Sequence, residues 1–176
     1  MCIRDRYRTI GLWRNGWVAP NFGFAQGFDL YHRPAMLPLK PGELKKNPSA
    51  DAGGSDESVL ESVRSFLVTA PPDRQWFLYL HLMDLHQYTY DSSSALFGTS
   101  FSDIYDNSIR RQDNFVSALV YALSEAGELD NTVIVLASDH GEAFGERGFE
   151  GHAQNVFRET TEVPFIIIPP FRLDPG

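Results

Sequence analysis

The run Thr132-Val133-Ile134-Val135-Leu136-Ala137, which breaks directly into Ser138-Asp139-His140-Gly141-Glu142, constrains the fold of this chain more than any other stretch. It is short, β-branched and continuously apolar, the pattern of a strand buried on both faces of a parallel sheet. Strands of open α/β sheets deliver chemistry from their carboxyl ends. Asp139 and His140 arrive there together, with Gly141 to turn the chain, and read as an oxygen and a nitrogen ligand for a divalent cation. His152 follows twelve residues after His140. An Asp-His-Gly tripeptide alone is ordinary turn chemistry, so the reading depends on what else the fold brings to that edge.

The other apolar segments set this strand in an alternating order. Tyr7 to Trp13 reads as a strand. Val59, Leu60, Val63, Phe66 and Leu67 recur at helical spacing behind Ser55, an N-cap with Asp56 and Glu57 in the first turn. That helix ends before Pro71-Pro72, and Trp76 to Leu82 reads as a second buried strand leading into Met83-Asp84-Leu85-His86. A longer helix is expected from Asp103 to Ala126, with Ile109, Val116, Leu119, Val120 and Leu123 as its stripe and Gly127 as its stop. A short helix near 155–161 and a buried strand over Val163 to Pro170 complete the series. Strand and helix alternate, which predicts an α/β fold: a mostly parallel sheet with helices on both faces. The aromatics of 17–29 are expected to pack back on the sheet, and 32–54 reads as an exposed connection.

Composition narrows the function classes. With 176 residues, 43% of them hydrophobic, the chain can bury one sizeable core. A net charge of −8 and a pI near 5.0 argue against a nucleic-acid binder or a polybasic membrane-surface protein. Cys2 is the single cysteine, so no internal disulfide can form. No run of eighteen apolar residues and no signal-peptide pattern is present. Residues 1–6 fit neither a signal nor a strand and are expected to be a non-native leader, with 7–176 a partial catalytic domain truncated at both ends.

Two strands thus end in histidine-bearing loops, one leading to His86 and one to His140 and His152. In a parallel sheet both loops emerge at the same edge, so His86, Asp139, His140 and His152 can converge although distant in sequence. His32, in a polar connection, and His81, inside a strand, are read as ordinary structural histidines.

These segments carry a resemblance. Tyr7 to Gly11, Phe22 to Asp29, Phe77 to His86, Tyr105 to Ile109 with Asp113, and Ser138 to Glu146 followed by Gly151-His152 and Val163-Pro164 resemble, in order, successive blocks of the sulfatase family within the alkaline phosphatase-like superfamily. The resemblance implies that fold in truncated form. It implies that Asp139 and His140 bind the catalytic cation, and that His86 and His152 contact the sulfate or phosphate group and assist the leaving oxygen. Several sulfatases carry Asn at the second metal position and use calcium. His140 instead resembles the branch of phosphonate monoester hydrolases and phosphoethanolamine transferases, where manganese or zinc is common, without excluding calcium. Many relatives have a proline near the position of Gln87-Tyr88-Thr89.

The family's upstream acidic ligands, and its Cys- or Ser-x-Pro-x-Arg motif whose first residue becomes formylglycine, match nothing in this chain. They are expected in a missing segment, which leaves these residues alone inactive. The implied function is a metal-dependent sulfuric-ester hydrolase acting on a sulfate ester. The alternatives are a phosphoester or phosphonate hydrolase or a phosphoethanolamine-type transferase on the same scaffold, and, from a different class, a non-catalytic binding module. A periplasmic or extracellular location is what the family suggests.

Overall fold

The structure, a computed structural model, describes residues 6–34, 54–70, 74–152 and 155–171. Strand β1 (Arg8–Leu12) lies between β2 (Leu30–His32) and β3 (Trp76–Leu80), and both neighbours run parallel to it. Ile10 is level with Leu30 on one side and Leu78 on the other. Strand alternation sends Ile10 and Leu12 to one face, where both are buried, and Thr9 and Gly11 to the other. Gly11 is required by packing: the Tyr31 ring occupies the space where a Cβ would sit.

Helices α1 (Asp56–Thr69) and α2 (Phe101–Glu125) cover the Ile10 face. Val59, Val63 and Phe66 of α1 and Phe115, Leu119 and Leu123 of α2 form one cluster with Ile10, Leu12 and Ile134. The helical spacing thus finds its faces except at Ile109, expected in the α2 stripe but exposed beyond the reach of the core, and α2 starts earlier than the apolar stripe suggests. Ser100 accepts from the Asp103 amide at 3.2 Å and donates its own amide to the Asp103 carboxylate at 3.0 Å, a reciprocal cap that sets the start at Phe101. Gly127, at φ 72°, ends it, and the Glu128 amide reaches back to the Leu123 carbonyl at 2.9 Å.

The opposite face of the parallel sheet carries part of the loop 17–29, which leads into β2, an edge strand absent from the periodicity. Phe28 packs on Tyr31, Tyr79 and Phe77, at ring separations of 5.1, 6.1 and 6.2 Å. Trp17, Phe22 and Phe24 stay exposed, so only part of that loop folds back. Most of the expected connection 32–54 lies outside the described residues, which include only 32–34 and 54 of it.

Two expectations about the second half of the chain need correction. Strand β4 (Ile134–Ala137) buries Ile134 and turns Leu136 inward, whereas Val135 is 53% exposed, so it is not buried on both faces. The last strand, β7 (Phe165–Ile168), pairs antiparallel with β4, Ile134 opposite Ile168 and Ala137 opposite Phe165. All four of its residues are exposed, so it is not a buried strand among the described residues. Uninterrupted apolar β-branched sequence specifies extended pairing, but burial requires a covering layer, and no described element covers this face. Short pairs β5 (Ala143–Phe144) and β6 (Glu150–Gly151), antiparallel, and the single-turn helix α3 (Arg158–Thr161) surround the loop beyond β4. Among the described residues no helix is long and apolar enough to cross a membrane.

Candidate functional site

The loops after β3 and β4 meet, and they bring three imidazoles together. His86 lies 6.0 Å from His140 and 5.0 Å from His152, ring centre to ring centre, and the His140 and His152 rings stack at 3.9 Å. One nitrogen from each of the three lies within 4.8 Å of the others. Asp139 stands beside this group: its Oδ1 is 3.9 Å from His140 Nε2, and its side chain is 75% exposed. His81 and His32 are outside it. His81 continues β3, its amide bonded to the Leu12 carbonyl at 2.8 Å.

Each arm of the site has its own support. After β3 the amides of Met83 and Asp84 donate to the Asp56 carboxylate at 2.9 and 3.0 Å, which ties the start of the His86 loop to the N-terminus of α1. Arg14, at the end of β1, donates to Asp56 at 2.7 Å and also pairs with Asp84. Arg111 of α2 reaches Asp84 from the other side at 3.2 Å. The side chains of Arg14, Asp56 and Asp84 are all at least 96% buried. In the other arm, the Gly141 amide donates to the Thr160 carbonyl at 3.0 Å, and a Cβ on Gly141 would collide with the Glu159 carbonyl oxygen. His152 Nδ1 lies 3.1 and 3.3 Å from the two oxygens of Glu142, whose side chain is 4% exposed.

The electrostatics favour a neutral ring at His86. Desolvation first, then the adjoining His152 and His140, push the His86 pKa below the ordinary histidine value. His140 Nδ1 lies 2.9 Å from the Gly141 carbonyl. A carbonyl can only accept, so Nδ1 carries a proton, and Nε2 is the ring nitrogen nearer Asp139 Oδ1, at 3.9 Å. Tyr88 backs this edge at φ 52°, a left-handed conformation uncommon for a bulky residue. Its ring packs on Phe101 and Tyr105 at 5.0 and 5.8 Å, and both of these pack on Phe144.

The donor set fits a divalent cation. Two nitrogens each about 2.0–2.1 Å from one ion lie at most about 4.2 Å apart, so rings whose nitrogens already lie within 4.8 Å reach a common ion by small rotations. A nitrogen-rich set with one carboxylate suits zinc or manganese better than an all-oxygen calcium shell. The sequence points to the three histidines and Asp139 but not to a site role for Glu142, Tyr88, Arg14 or Asp84, and it marks Asp56 only as a first-turn helix residue. For Arg14, Asp84 and Glu142, charge just beyond an apolar strand was the available signal.

Comparison with known proteins agrees with this architecture. The family model for sulfatases matches residues 3–175. An α/β domain with a parallel sheet and a histidine cluster at the loop edge is thus of the alkaline phosphatase-like class, and the chain belongs to the sulfatase family. It is 27% identical over 125 residues to an uncharacterised protein of Haemophilus influenzae, covering 71% of this chain and 18% of that one. Among solved structures, the lipoteichoic acid synthase LtaP of Listeria monocytogenes superposes with a TM-score of 0.67 at 13% identity, over 98% of this chain and 46% of that one. A putative sulfatase of Bacteroides thetaiotaomicron gives 0.61 at 14% identity, over 93% and 44%. The chain therefore spans less than half the length of these relatives.

Proposed function

We propose that this chain supplies the cation-binding and leaving-group part of a sulfatase-family catalytic domain that hydrolyses a sulfate ester. The observation that carries the reading is the convergence of His86, His140 and His152, from loops separated by more than fifty residues, on one point. In this reading Asp139 and His140 hold the cation, and His86 and His152 face the ester. The cation supplies stabilisation of negative charge on the ester oxygens. His86, kept neutral by its surroundings, donates or accepts hydrogen bonds at the transferred group. His152 delivers a proton to the departing oxygen.

One observation favours a second reading. Nitrogen donors outnumber the single carboxylate in the cluster, which suits the zinc or manganese chemistry of phosphoester hydrolysis or phosphoryl-group transfer on the same scaffold. The distinguishing experiment measures turnover of an aryl sulfate and an aryl phosphate by the gene product carrying this chain, with elemental analysis of bound metal. Sulfate turnover supports the first reading, and phosphate turnover alone replaces it with the second. His140→Ala should lower metal content and activity together, with recovery at high metal concentration. His152→Ala should keep the metal and slow turnover on the order of 100- to 1,000-fold, as for loss of a transition-state contact. Metal loss from His152→Ala would transfer that residue to the cation shell.

A further inference from the structure

We propose that Glu142 is a positioning residue that fixes His152 in the Nδ1–H tautomer, so that Nε2 is the atom presented to the reaction centre, with Tyr88 holding the carboxylate from behind. This deepens the proposed function, because it says how the leaving-group histidine of that reading is oriented.

Four observations converge on it. Both oxygens of Glu142 lie within 3.3 Å of His152 Nδ1, and the carboxylate is almost wholly removed from solvent. An ionised carboxylate only accepts, so this contact requires a proton on Nδ1. Gly151, at φ 85°, turns the chain immediately before His152, and a Cβ there would make an ordinary contact with Glu142 Oε1, at 3.6 Å. A residue with a side chain would be strained in that backbone conformation, so the turn that brings His152 onto Glu142 is built for glycine. On the far side the Tyr88 phenol faces the same carboxylate; burial, then this pairing, push its pKa up, which keeps it a protonated donor. The left-handed backbone of Tyr88 and its packing on Phe101 and Tyr105 hold the phenol there.

The consequence for proton transfer is specific. When a proton leaves Nε2 of the imidazolium for the departing ester oxygen, that O–H bond forms as the N–H bond breaks. The ring returns to the neutral Nδ1–H form already bonded to Glu142. No rotation and no proton exchange at Nδ1 is needed between turnovers, and the carboxylate stabilises the imidazolium while it exists.

The test reads the tautomer directly. Long-range proton–nitrogen correlation on the ¹⁵N-histidine-labelled protein, with the rings neutral, should show His152 protonated at Nδ1 and bare at Nε2. The Nε2–H form in the unsubstituted protein would overturn the proposal without any variant. Glu142→Met keeps the volume and removes the acceptor, so His152 should shift to the Nε2–H form, whereas Glu142→Gln, whose carbonyl still accepts, should retain Nδ1–H. An unchanged tautomer in a folded Glu142→Met protein would also overturn it. In the gene product carrying this chain, Glu142→Met should lower kcat about 10- to 100-fold with metal content unchanged, and Glu142→Gln should recover part of the loss. Absence of ester turnover would defeat the functional reading while leaving the tautomer result standing.

Discussion

The two histidine-bearing arms of the site are held in different ways. The His86 arm leaves β3 through a buried lattice of charges in which Asp56 accepts two backbone amides and Arg14, and Asp84 is shared by Arg14 and Arg111. The arm carrying His140 and His152 leaves β4 across a backbone contact at Gly141, two-residue strands, the contact of His152 with the buried Glu142 carboxylate, and solvent-exposed ion pairs of Arg147 with Glu159 and Arg158 with Glu162. The first arm is continuous with the core, because Arg14 follows β1 and Asp56 begins α1. The second arm is next to a strand pair whose outer residues are open to solvent. Defects in the first arm should therefore unfold the domain, and defects in the second should displace the site while leaving the domain folded.

The largest effect is expected at Asp56. Its replacement by alanine removes one of the two buried carboxylates paired with Arg14 and leaves the Met83 and Asp84 amides without their acceptor in a region closed to water. Removing one partner of a buried ion pair typically costs about 3–5 kcal/mol, and urea unfolding should show a loss of that order. Asp56→Asn, which keeps one acceptor oxygen for the Met83 or the Asp84 amide but sets an NH2 group against the other, should recover part of it. A loss below about 1 kcal/mol for Asp56→Ala would mean that the charge lattice does not anchor the first arm.

Gly141→Ala probes the second arm. The added methyl would run into the Glu159 carbonyl oxygen, so the loop and α3 must separate. Overpacking of this kind costs about 1–3 kcal/mol, but here it falls at the periphery of the core. Thermal unfolding should change modestly while the stacked arrangement of His140 and His152, now 3.9 Å apart, is lost and metal affinity falls. Unfolding as severe as that of Asp56→Ala, with the rings still stacked in what remains folded, would erase the distinction between the arms.

This contrast was only half legible in the sequence. Periodicity located both long helices, because α1 and α2 each bury a regular stripe against one cluster, and the apolar runs located β1, β3 and β4. The three histidines were legible because they follow two apolar strands, and their loops meet although β4 pairs only with β7, antiparallel, and not with the parallel sheet of β1, β2 and β3. Burial was not legible: the run in β4 and the run in β7 are apolar enough for a two-sided core, yet Val135 and Phe165 to Ile168 are exposed. Residue type reports what a strand tolerates, whereas exposure depends on what lies over it. Strand β2 escaped notice because three residues after a glycine-rich loop carry no period. The charge lattice was hidden because Arg14, Asp56 and Asp84 are each unremarkable locally and meet only through tertiary contact, and Asp56 was read as a helix-dipole residue when it is also a buried acceptor.

Acid should weaken the first arm before the second. Burial lowers the His81 pKa, and burial together with the neighbouring imidazoles lowers that of His86. Between these depressed native values and the unfolded value of about 6.5, the unfolded chain binds more protons than the native one, so stability rises with pH across that window. It declines progressively as pH falls through the same window. His81→Phe should flatten the slope of unfolding free energy below about pH 6.5, leaving the part due to His86. A slope unchanged by His81→Phe would show that the buried ring titrates alike in both states.

The smallest effect is expected at Arg147, whose salt bridge in the second arm is open to solvent. Its guanidinium lies 3.1 Å from Glu159 and 4.6 Å from the centre of the Phe157 ring, but the side chain is 52% exposed. Exposed ion pairs contribute about 0–1 kcal/mol and exposed cation–π contacts about 0.5–1 kcal/mol, with the ionic part screened by salt. Arg147→Ala should therefore cost no more than about 1 kcal/mol, and less at high ionic strength, while leaving the His140 and His152 rings in place. Its distance and partners resemble those of Arg14 in the first arm, and the difference lies in solvent. Arg14 cannot exchange its carboxylates for water, and Arg147 can. A loss of 3 kcal/mol or more on Arg147→Ala, insensitive to salt, would show that the second arm is also held by charge, and the comparison between the arms would then turn on geometry alone.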